Sequence, residues 1–352
     1  MQTAIVLTNG LLTTSDAKTA HGLIRGTSRY KISGVIDPPT AGMDAGEVLD
    51  GVPRNIPVFA TLEAALETLG KIDCIIIGVA TVGGILPPDM FSILKKAVQN
   101  GLSVVNGLHD YLQENQELVA LATQFQVKLT DVRRPKSRKD LHFWTGAIFE
   151  VKAPIIAVMG MDCALGKRTT ARMIREACAK ENIQAQMIYT GQTGWLQGVE
   201  YGFIFDSTLN DFVSGELEHA IVTCWKETRA DVILLEGQSA LRNPSGPCGL
   251  ELLISGQAKQ VVLVHAPKRK YYDKDPHWGE IPPVETEIDI LQKFGSRVIA
   301  LALNTEDCTD FEAFEYQRSY EKSLGIPVLL PLQEGVGKLL PVIQQLIKLK
   351  AP

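Results

Sequence analysis

The residues of this chain that most clearly fit a chemical task are two glycines and a lysine that follow an apolar run. Gly160 and Gly166 are the first and last residues of the stretch GMDCALG, and Lys167 follows directly. Glycine lets the backbone approach a bound group closely, and the lysine ammonium supplies a point charge for an anion. We therefore expect a phosphate-binding loop here, holding a nucleotide or a coenzyme.

The spacing of this loop differs from the common phosphate-loop motif G-x-x-x-x-G-K-[ST]. Five residues separate the two glycines, and Arg168 stands where a Ser or Thr hydroxyl would bind Mg²⁺. A polyphosphate held by charge alone, such as that of coenzyme A, suits this pattern better than a metal-bound nucleotide, so we expect no metal. The predicted ligand contacts are Gly160, Asp162, Cys163, Ala164, Gly166, Lys167, Arg168, Thr169 and Thr170.

A strand and a helix must hold this loop. The apolar run 155–159 precedes it, and Ala171, Ile174, Ala177 and Cys178 follow it at helical spacing. A helix that begins at the loop directs its free N–H groups at the anion. The loop therefore has the flanking elements that a phosphate site requires.

Short β-branched runs alternate with helical patterns along the whole chain, which is typical of parallel sheets with crossover helices. Strands are predicted at 4–7, 32–36, 74–79 and 103–105, and then at 155–159, 186–189, 232–235, 261–265, 298–303 and 327–330. The charged, proline-containing stretch 132–140 separates the two sets. We predict an α/β protein with two doubly wound domains, a Rossmann-like domain at 1–135 and a P-loop NTPase-like domain at 141–352.

Composition narrows the classes of partner. The net charge is −5 without a long basic run, which disfavours nucleic acid and anionic membranes. No signal peptide or membrane-length apolar run is evident, and the six cysteines show no metal-ligand spacing. We expect a cytoplasmic protein that acts on a small molecule and forms a homo-oligomer.

The loop GMDCALGK resembles that of dethiobiotin synthetase and related P-loop amidoligases, which read G-T-D-T-x-V-G-K. Two later stretches, ADVILLEGQSA and ALALNTE, are similar to strands of the same superfamily. By position in those motifs, the resemblance implies that Glu236 faces the phosphates or the substrate and that Asn304 reads a purine. A solvated carboxylate and a turn-forming Asn are the structural alternatives.

A second resemblance covers almost the whole chain. The stretches GMDCALGKRTTA, TGQTGWLQG, FDSTLNDFVSGELE and LLEGQSAL are similar to a bacterial and archaeal two-domain family that was long a domain of unknown function. Members of that family are assigned as D-glutamate N-acetyltransferases. The resemblance implies acetyl-CoA as the cofactor and a D-amino acid, D-glutamate above all, as the substrate.

The first domain offers little support for a dinucleotide site. Its first turn contains a single glycine, Gly10, where the fingerprint needs three, and Asp37 reads as a turn former at a strand end. The stretch 56–80 is instead similar to the CoA-binding domain of succinyl-CoA ligase. The loop 83–88 fits a ligand border or a surface turn equally well.

Acetyl transfer to an amino acid needs a base, a donor for the thioester oxyanion and cations for the substrate carboxylates. The candidates for the base and for other catalytic roles are Glu236, Asp206, Asp211 and His265, all at strand ends or in adjoining loops. Candidate substrate contacts are Gln192, Thr193, Gly194 and Arg242, with Lys268, Arg269 and Lys270 as further cations. Solvated charges and a plain glycine loop remain the alternatives for these residues.

Two other functions stay open at this point. An ATP-dependent kinase or ligase that uses Mg²⁺ agrees with the loop, although Arg168 at the metal-ligand place argues against it. A nucleotide-binding protein without turnover agrees with the lack of an obvious catalytic His or Cys dyad.

Overall fold

The computed structural model describes residues 1–350, apart from the side chains of Val82 and Lys350. The strands are β1 (Gln2–Leu7), β2 (Tyr30–Ile36), β3 (Val58–Phe59), β4 (Cys74–Ile77), β5 (Ser103–Asn106), β6 (Leu129–Asp131), β7 (Ile155–Gly160), β8 (Ala185–Tyr189), β9 (Tyr201–Gly202), β10 (Val232–Glu236), β11 (Gln260–His265), β12 (Arg297–Leu303) and β13 (Val328–Leu329). The helices are α1 (Lys18–Ile24), α2 (Ala45–Asp50), α3 (Leu62–Leu69), α4 (Pro88–Gln99), α5 (Gln116–Gln124), α6 (Lys167–Lys180), α7 (Gln192–Leu196), α8 (Asn210–Thr228), α9 (Leu250–Ile254), α10 (Val284–Lys293), α11 (Asp310–Leu324) and α12 (Leu340–Lys350). Within the described range, no helix combines the length and the apolar character needed to cross a bilayer.

The chain divides into two compact units, and the first contains residues 1–135 together with 192–199. Its parallel sheet has the order β3-β2-β1-β4-β5-β6. The strand order reverses between β1 and β4, as it does in dinucleotide-binding sheets. The central strands are apolar and fully buried, Ile5 and Ile75 among them, because helices cover both faces of a doubly wound sheet. This unit is therefore Rossmann-like.

The second unit contains residues 136–191 and 200–352. Its parallel sheet has the order β13-β12-β11-β7-β10-β8-β9, so β7 lies between β10 and β11. The carboxyl ends of these three strands meet at one edge of the sheet. The second unit therefore brings the loop after β7, Glu236 at the end of β10 and His265 at the end of β11 to the same edge.

The predicted α/β class and its two doubly wound domains are confirmed. The difference from the predicted ranges lies in residues 192–199, which belong in sequence to the second domain and pack with the first unit. Within that unit, Gln197 donates to the carbonyl oxygens of Gly22 at 2.6 Å and Gly26 at 3.0 Å. Leu196 is fully buried in its core. Long-range packing of this kind leaves no local signal in the sequence.

Candidate phosphate and coenzyme site

The loop that follows β7 has the backbone conformation of an anion-binding nest. Gly166, the N-cap of α6, has φ +92°, and Ala164 has φ +51°, so two alternate residues take left-handed conformations. No side chain caps α6 at this end. Successive N–H groups in such a turn converge on a common point, and the helix N-terminus adds its partial positive charge. The loop is therefore shaped to hold an anion such as a phosphate.

The aliphatic part of Lys167 packs close to two glycines at the ends of neighbouring strands, although at Gly237 an added Cβ would meet the backbone oxygen of Val158 first, at 2.3 Å. A Cβ atom at Gly160 would lie 3.0 Å from Cδ of Lys167, and one at Gly237 would lie 3.2 Å from the same atom. The ammonium group is buried and donates to the backbone oxygen of Asp162 at 2.6 Å. Burial lowers the pKa of Lys167 below its usual value. A phosphate bound in the nest would supply a counter-charge to this buried ammonium group.

The carboxylate of Asp162 is bound by other residues of the protein. It is fully buried and accepts hydrogen bonds from Nδ2 of Asn243 at 2.8 Å, from Nη1 of Arg269 at 2.9 Å and from the backbone N–H of Asp273 at 2.9 Å. A carboxylate with these partners has little capacity left for a ligand. Asp162 is therefore positioned to hold the loop in shape, and its contact with a ligand stays a prediction.

Two side chains bind carbonyl oxygens of the loop from outside. Nη1 of Arg269 donates to the oxygen of Cys163 at 2.7 Å, and Nδ2 of Asn304 donates to that of Leu165 at 3.2 Å. Glu306 links them, since it accepts from Nε of Arg269 at 2.6 Å and donates its N–H to Oδ1 of Asn304 at 2.9 Å. In a trans peptide the N–H points opposite to the C=O. This clamp therefore turns the N–H groups of the same two peptides toward the nest.

The contacts of Asn304 within the clamp affect its predicted role in binding a purine base. Both functional groups of its amide already have partners in the loop and in the following turn. The structure thus assigns Asn304 a contact with the P-loop backbone, and its contact with a base remains a prediction.

Asp162, Cys163 and Asp273 form a cluster whose possible metal-ligand atoms lie within 4.8 Å of one another. The amide Nδ2 of Asn243, which has two hydrogens to donate, lies 2.8 Å from Oδ1 of Asp162, 3.6 Å from Sγ of Cys163 and 3.2 Å from Oδ2 of Asp273. Its orientation is fixed because Oδ1 accepts from the N–H of Ser245 at 2.9 Å. The N–H donors of Asn243 thus supply the partial positive charge at the centre of the cluster.

Glu236 ends β10 beside the loop, paired in register with Val158 of β7. It is 4% exposed, and Oε2 accepts the backbone N–H of Thr190 at 3.1 Å. Burial raises the pKa of Glu236, while the charges of Arg168 and Lys167 and the N–H groups of Thr190 and Gly191 act in the opposite direction. The carboxyl group therefore belongs to the electrostatic environment of the P-loop cations.

The other acidic candidates lie at exposed positions. Asp206 lies in a short 3₁₀ helix, and Asp211 is in the first turn of α8. Burial raises the pKa of the Cys248 thiol to about 12, and the charge of Asp206 adds to that effect while Lys167 opposes it. Asp206 is therefore close enough to Cys248 to act on it electrostatically.

His265 is buried at the end of β11, away from any described contact with the loop side chains. Nε2 lies 3.2 Å from the hydroxyl of Tyr320, and Nδ1 has no hydrogen-bond partner among the described residues. Burial lowers the pKa of His265 to about 4. The ring is therefore neutral near pH 7, and its contacts are those of a packed histidine.

The cations expected to bind substrate carboxylates are engaged in ion pairs. Nε of Arg242 donates to the buried Glu287 at 2.6 Å. Lys268 pairs with Glu312 at 2.7 Å and Lys270 with Glu280 at 3.0 Å. Arg242 is thus positioned by α10, and its contact with a substrate remains a prediction.

The predicted substrate contacts 192–194 lie in the first unit. Oε1 of Gln192 accepts from Nη2 of Arg133 at 2.9 Å, and the hydroxyls of Thr193 and Thr19 are 3.3 Å apart. Gln192, Thr193 and Gly194 are all buried. Their described contacts are those of a segment docked on the first unit.

The first unit shows why its crevice does not suit a dinucleotide. The carboxylate of Asp37, where a ribose-binding acid would stand, accepts from Thr8 Oγ1 at 2.7 Å, Gly10 N at 2.7 Å and Thr40 Oγ1 at 2.8 Å. The N–H of Ala20 in the first turn of α1 donates to the oxygen of Gly78 at 2.8 Å. The carboxylate at the ribose-binding position and one N–H group of the first turn of α1 thus have their partners within the protein.

Several residues that shape the site carry no sequence signal that joins them to the loop. Asn243 follows Arg242 in an irregular stretch. Thr190 and Gly191 follow β8 and open the stretch TGQTGWLQG, but the sequence did not single them out as neighbours of Glu236. The sequence suggested Arg269 only as a substrate contact. A polar residue just after the carboxyl end of a strand beside β7 was the available signal.

Comparison with known proteins places the chain among relatives of the same two-domain build. Residues 142–340 match a domain of unknown function, DUF1611, described as a P-loop domain, and residues 38–135 match its N-terminal counterpart, described as a Rossmann-like domain.

Two curated proteins and one solved structure resemble most of the chain. A D-glutamate N-acetyltransferase from Pseudoalteromonas sp. is 30% identical over 75% of this chain and 79% of that protein. A protein of the same name from Tritonibacter scottomollicae is 27% identical over 80% of this chain and 84% of its own. The crystal structure of a DUF1611 family protein from Anabaena variabilis is 29% identical, with a TM-score of 0.89, over 98% of this chain and 100% of that chain.

Proposed function

Because the chain belongs to the DUF1611 family, with its Rossmann-like and P-loop domains, we propose that it is an acetyl-CoA-dependent N-acetyltransferase acting on a D-amino acid, D-glutamate in particular. The observation that carries the proposal is the match to two proteins of that name along three quarters or more of the chain. The anion nest of the second unit supports it, because coenzyme A carries a diphosphate and a further phosphate.

In the proposed reaction, the amine nitrogen of the amino acid attacks the thioester carbonyl of acetyl-CoA. A C–N bond forms, the C–S bond breaks, and coenzyme A leaves as the thiol. The ammonium group must first lose a proton to a base, and the oxyanion that forms needs a hydrogen-bond donor.

The P-loop in this proposal holds phosphates of the coenzyme. Lys167 supplies a buried charge, and the N–H groups turned inward by Arg269 and Asn304 supply directed hydrogen bonds. Burial lowers the pKa of Lys167, and a phosphate bound beside it would act in the opposite direction, because an anion favours the charged form of the ammonium group.

The length of coenzyme A restricts the role of Glu236. About a dozen bonds separate the thioester sulfur from the diphosphate, so an extended arm spans roughly 15 Å at about 1.3 Å a bond. Glu236 lies within the electrostatic reach of Lys167 and Arg168. If the loop holds the diphosphate, this carboxyl group is at the wrong end of the coenzyme to take the amine proton. We therefore propose that Glu236 adjusts the charge of the phosphate site, in place of the base role suggested by the sequence.

The experiment is product identification by mass spectrometry. The purified protein is incubated with acetyl-CoA and, separately, with D-glutamate, L-glutamate and D-aspartate. We expect N-acetylglutamate from the D enantiomer at a rate well above that from the L enantiomer. Absence of any N-acetylated product from all three amino acids would overturn the proposal.

One observation favours a second candidate, an ATP-dependent kinase or ligase of the dethiobiotin synthetase kind. Glu236 ends the strand next to the P-loop strand, where an acid of a P-loop enzyme commonly faces the nucleotide phosphates. Phosphate release from ATP that depends on a carboxylic acid substrate would favour this candidate.

The expectation of a homo-oligomer remains a further proposal.

A further inference from the structure

P-loop sites ordinarily hold Mg²⁺, which asks for an octahedral set of oxygen ligands from hydroxyl, carboxylate, phosphate and water. The second unit offers two sets of oxygens near its loop where such a cation would be sought. One is the hydroxyl place after Lys167 together with Glu236, and the other is the cluster of Asp162, Cys163 and Asp273. The donor chemistry of each set tests whether the metal fits.

The first set has no hydroxyl at the place where the motif needs one, since Thr169 and Thr170 come one and two residues later. Arg168, the second residue of α6, stands where the motif needs a Ser or Thr, and a guanidinium group has N–H donors but no lone pair for a metal. Glu236 is buried, and its Oε2 already accepts the N–H of Thr190 at 3.1 Å. The strand register places Glu236 beside the P-loop strand, so Arg168 and this carboxyl group share one end of the sheet.

The second set of oxygens already has positively polarised partners. The amide of Asn243 donates to Oδ1 of Asp162 at 2.8 Å and to Oδ2 of Asp273 at 3.2 Å. Arg269 adds a full charge on the other oxygen of Asp162 at 2.9 Å. A cation entering this cluster would displace an N–H donor and meet the guanidinium group of Arg269.

We propose that Arg168 replaces the divalent cation of this P-loop, so that the site selects phosphate ligands that carry no metal and disfavours Mg²⁺-bound nucleoside triphosphates. A guanidinium group presents N–H donors to phosphate oxygens in a planar fork, as a metal presents coordination positions. A phosphate ligand that brings its own Mg²⁺ would carry a second cation into the position of Arg168. The ligand class is therefore a metal-free diphosphate such as that of coenzyme A. The inference rests on the phosphate role of the loop in the proposed function, and it does not depend on acetyl transfer.

The test is isothermal titration calorimetry of the full chain with coenzyme A and with ATP, each in excess EDTA and in millimolar Mg²⁺. For the wild type we expect coenzyme A to bind equally in both buffers and Mg²⁺ to give no gain in ATP affinity. Arg168→Ser restores the hydroxyl ligand. This variant should lose at least 10-fold in coenzyme A affinity and should bind ATP at least 10-fold more tightly with Mg²⁺ than with EDTA.

Arg175→Ser is the matched control, because Arg175 lies on the same helix two turns further on and is exposed. It should behave as the wild type in all four titrations. Mg²⁺ that strengthens ATP binding to the wild type 10-fold or more would overturn the inference, whether or not the Ser variant folds, and so would unchanged coenzyme A affinity in that variant. A wild type that binds neither ligand would overturn both the inference and the phosphate site. Metal-independent binding of coenzyme A without any acetyl transfer would overturn the proposed reaction alone.

Discussion

Lys167→Met should separate the binding function of the P-loop from its stability. The methionine side chain keeps the aliphatic packing against Gly160 and Gly237, where a Cβ atom would lie only 3.0 and 3.2 Å, respectively, from Cδ of the lysine. The variant loses the hydrogen bond from Nζ to the oxygen of Asp162 at 2.6 Å, which costs about 1–3 kcal/mol for an unsatisfied carbonyl. It also removes a buried cation whose pKa is lowered by burial, which offsets part of that cost.

We therefore expect Lys167→Met to lower the free energy of unfolding by no more than about 3 kcal/mol. Coenzyme A binding should weaken roughly 10- to 150-fold, because a charge-assisted phosphate contact is worth about 1.5–3 kcal/mol. Denaturant unfolding and calorimetry measure the two quantities, with Lys226→Met at an exposed lysine of α8 as the control. A variant that binds coenzyme A as tightly as the wild type, or one that is unfolded, would refute this reasoning.

Four further results are expected. As the pH falls toward the raised pKa of Glu236, the wild type should gain affinity for coenzyme A relative to Glu236→Gln, because protonation removes an anion beside the phosphates. Calorimetry at several pH values measures both affinities, and parallel pH profiles would contradict this prediction. The pKa of His265 is lowered to about 4 by burial, so folding stability should fall by roughly 3 kcal/mol as the pH drops from about 6.5 to about 4, and His265→Asn should remove that part of the slope in urea unfolding. Arg269→Lys keeps the charge but breaks the fork that binds Asp162, Glu306 and the oxygen of Cys163, and coenzyme A affinity should fall at least ~10-fold; unchanged affinity would show that the clamp does not shape the nest. Limited trypsin treatment should cut first within the exposed stretch 134–140, and mass spectrometry of the fragments would expose an earlier cut elsewhere.

The strands missed from the sequence are short and lie at sheet edges, where the two-residue strand β13 was predicted because its run 327–330 is apolar. Each apolar run predicted as a strand corresponds to a strand of the structure. The strands without a prediction are β3, β6 and β9, which have two or three residues and lie at sheet edges. An edge strand of that length needs no long buried run, so the sequence carries no periodic signal for it.

The site shows a similar division between local and long-range information. The glycines, Lys167 and the flanking strand and helix could be predicted, because backbone conformation and helix initiation depend on neighbouring residues. The carboxylate of Asp162 turns toward Arg269 and Asn243, which lie far away in sequence, so its structural role could not be predicted from the loop alone. The ion pair between Arg242 and Glu287 was hidden for the same reason.

The most direct test of the proposed function is the release of free thiol from acetyl-CoA in the presence of D-glutamate, followed with a thiol reagent in a buffer that contains excess EDTA and no ATP. The account predicts turnover that depends on D-glutamate and proceeds at the same rate when Mg²⁺ replaces the EDTA. A protein that is inert toward acetyl-CoA in this assay and instead hydrolyses ATP only with Mg²⁺ would contradict it.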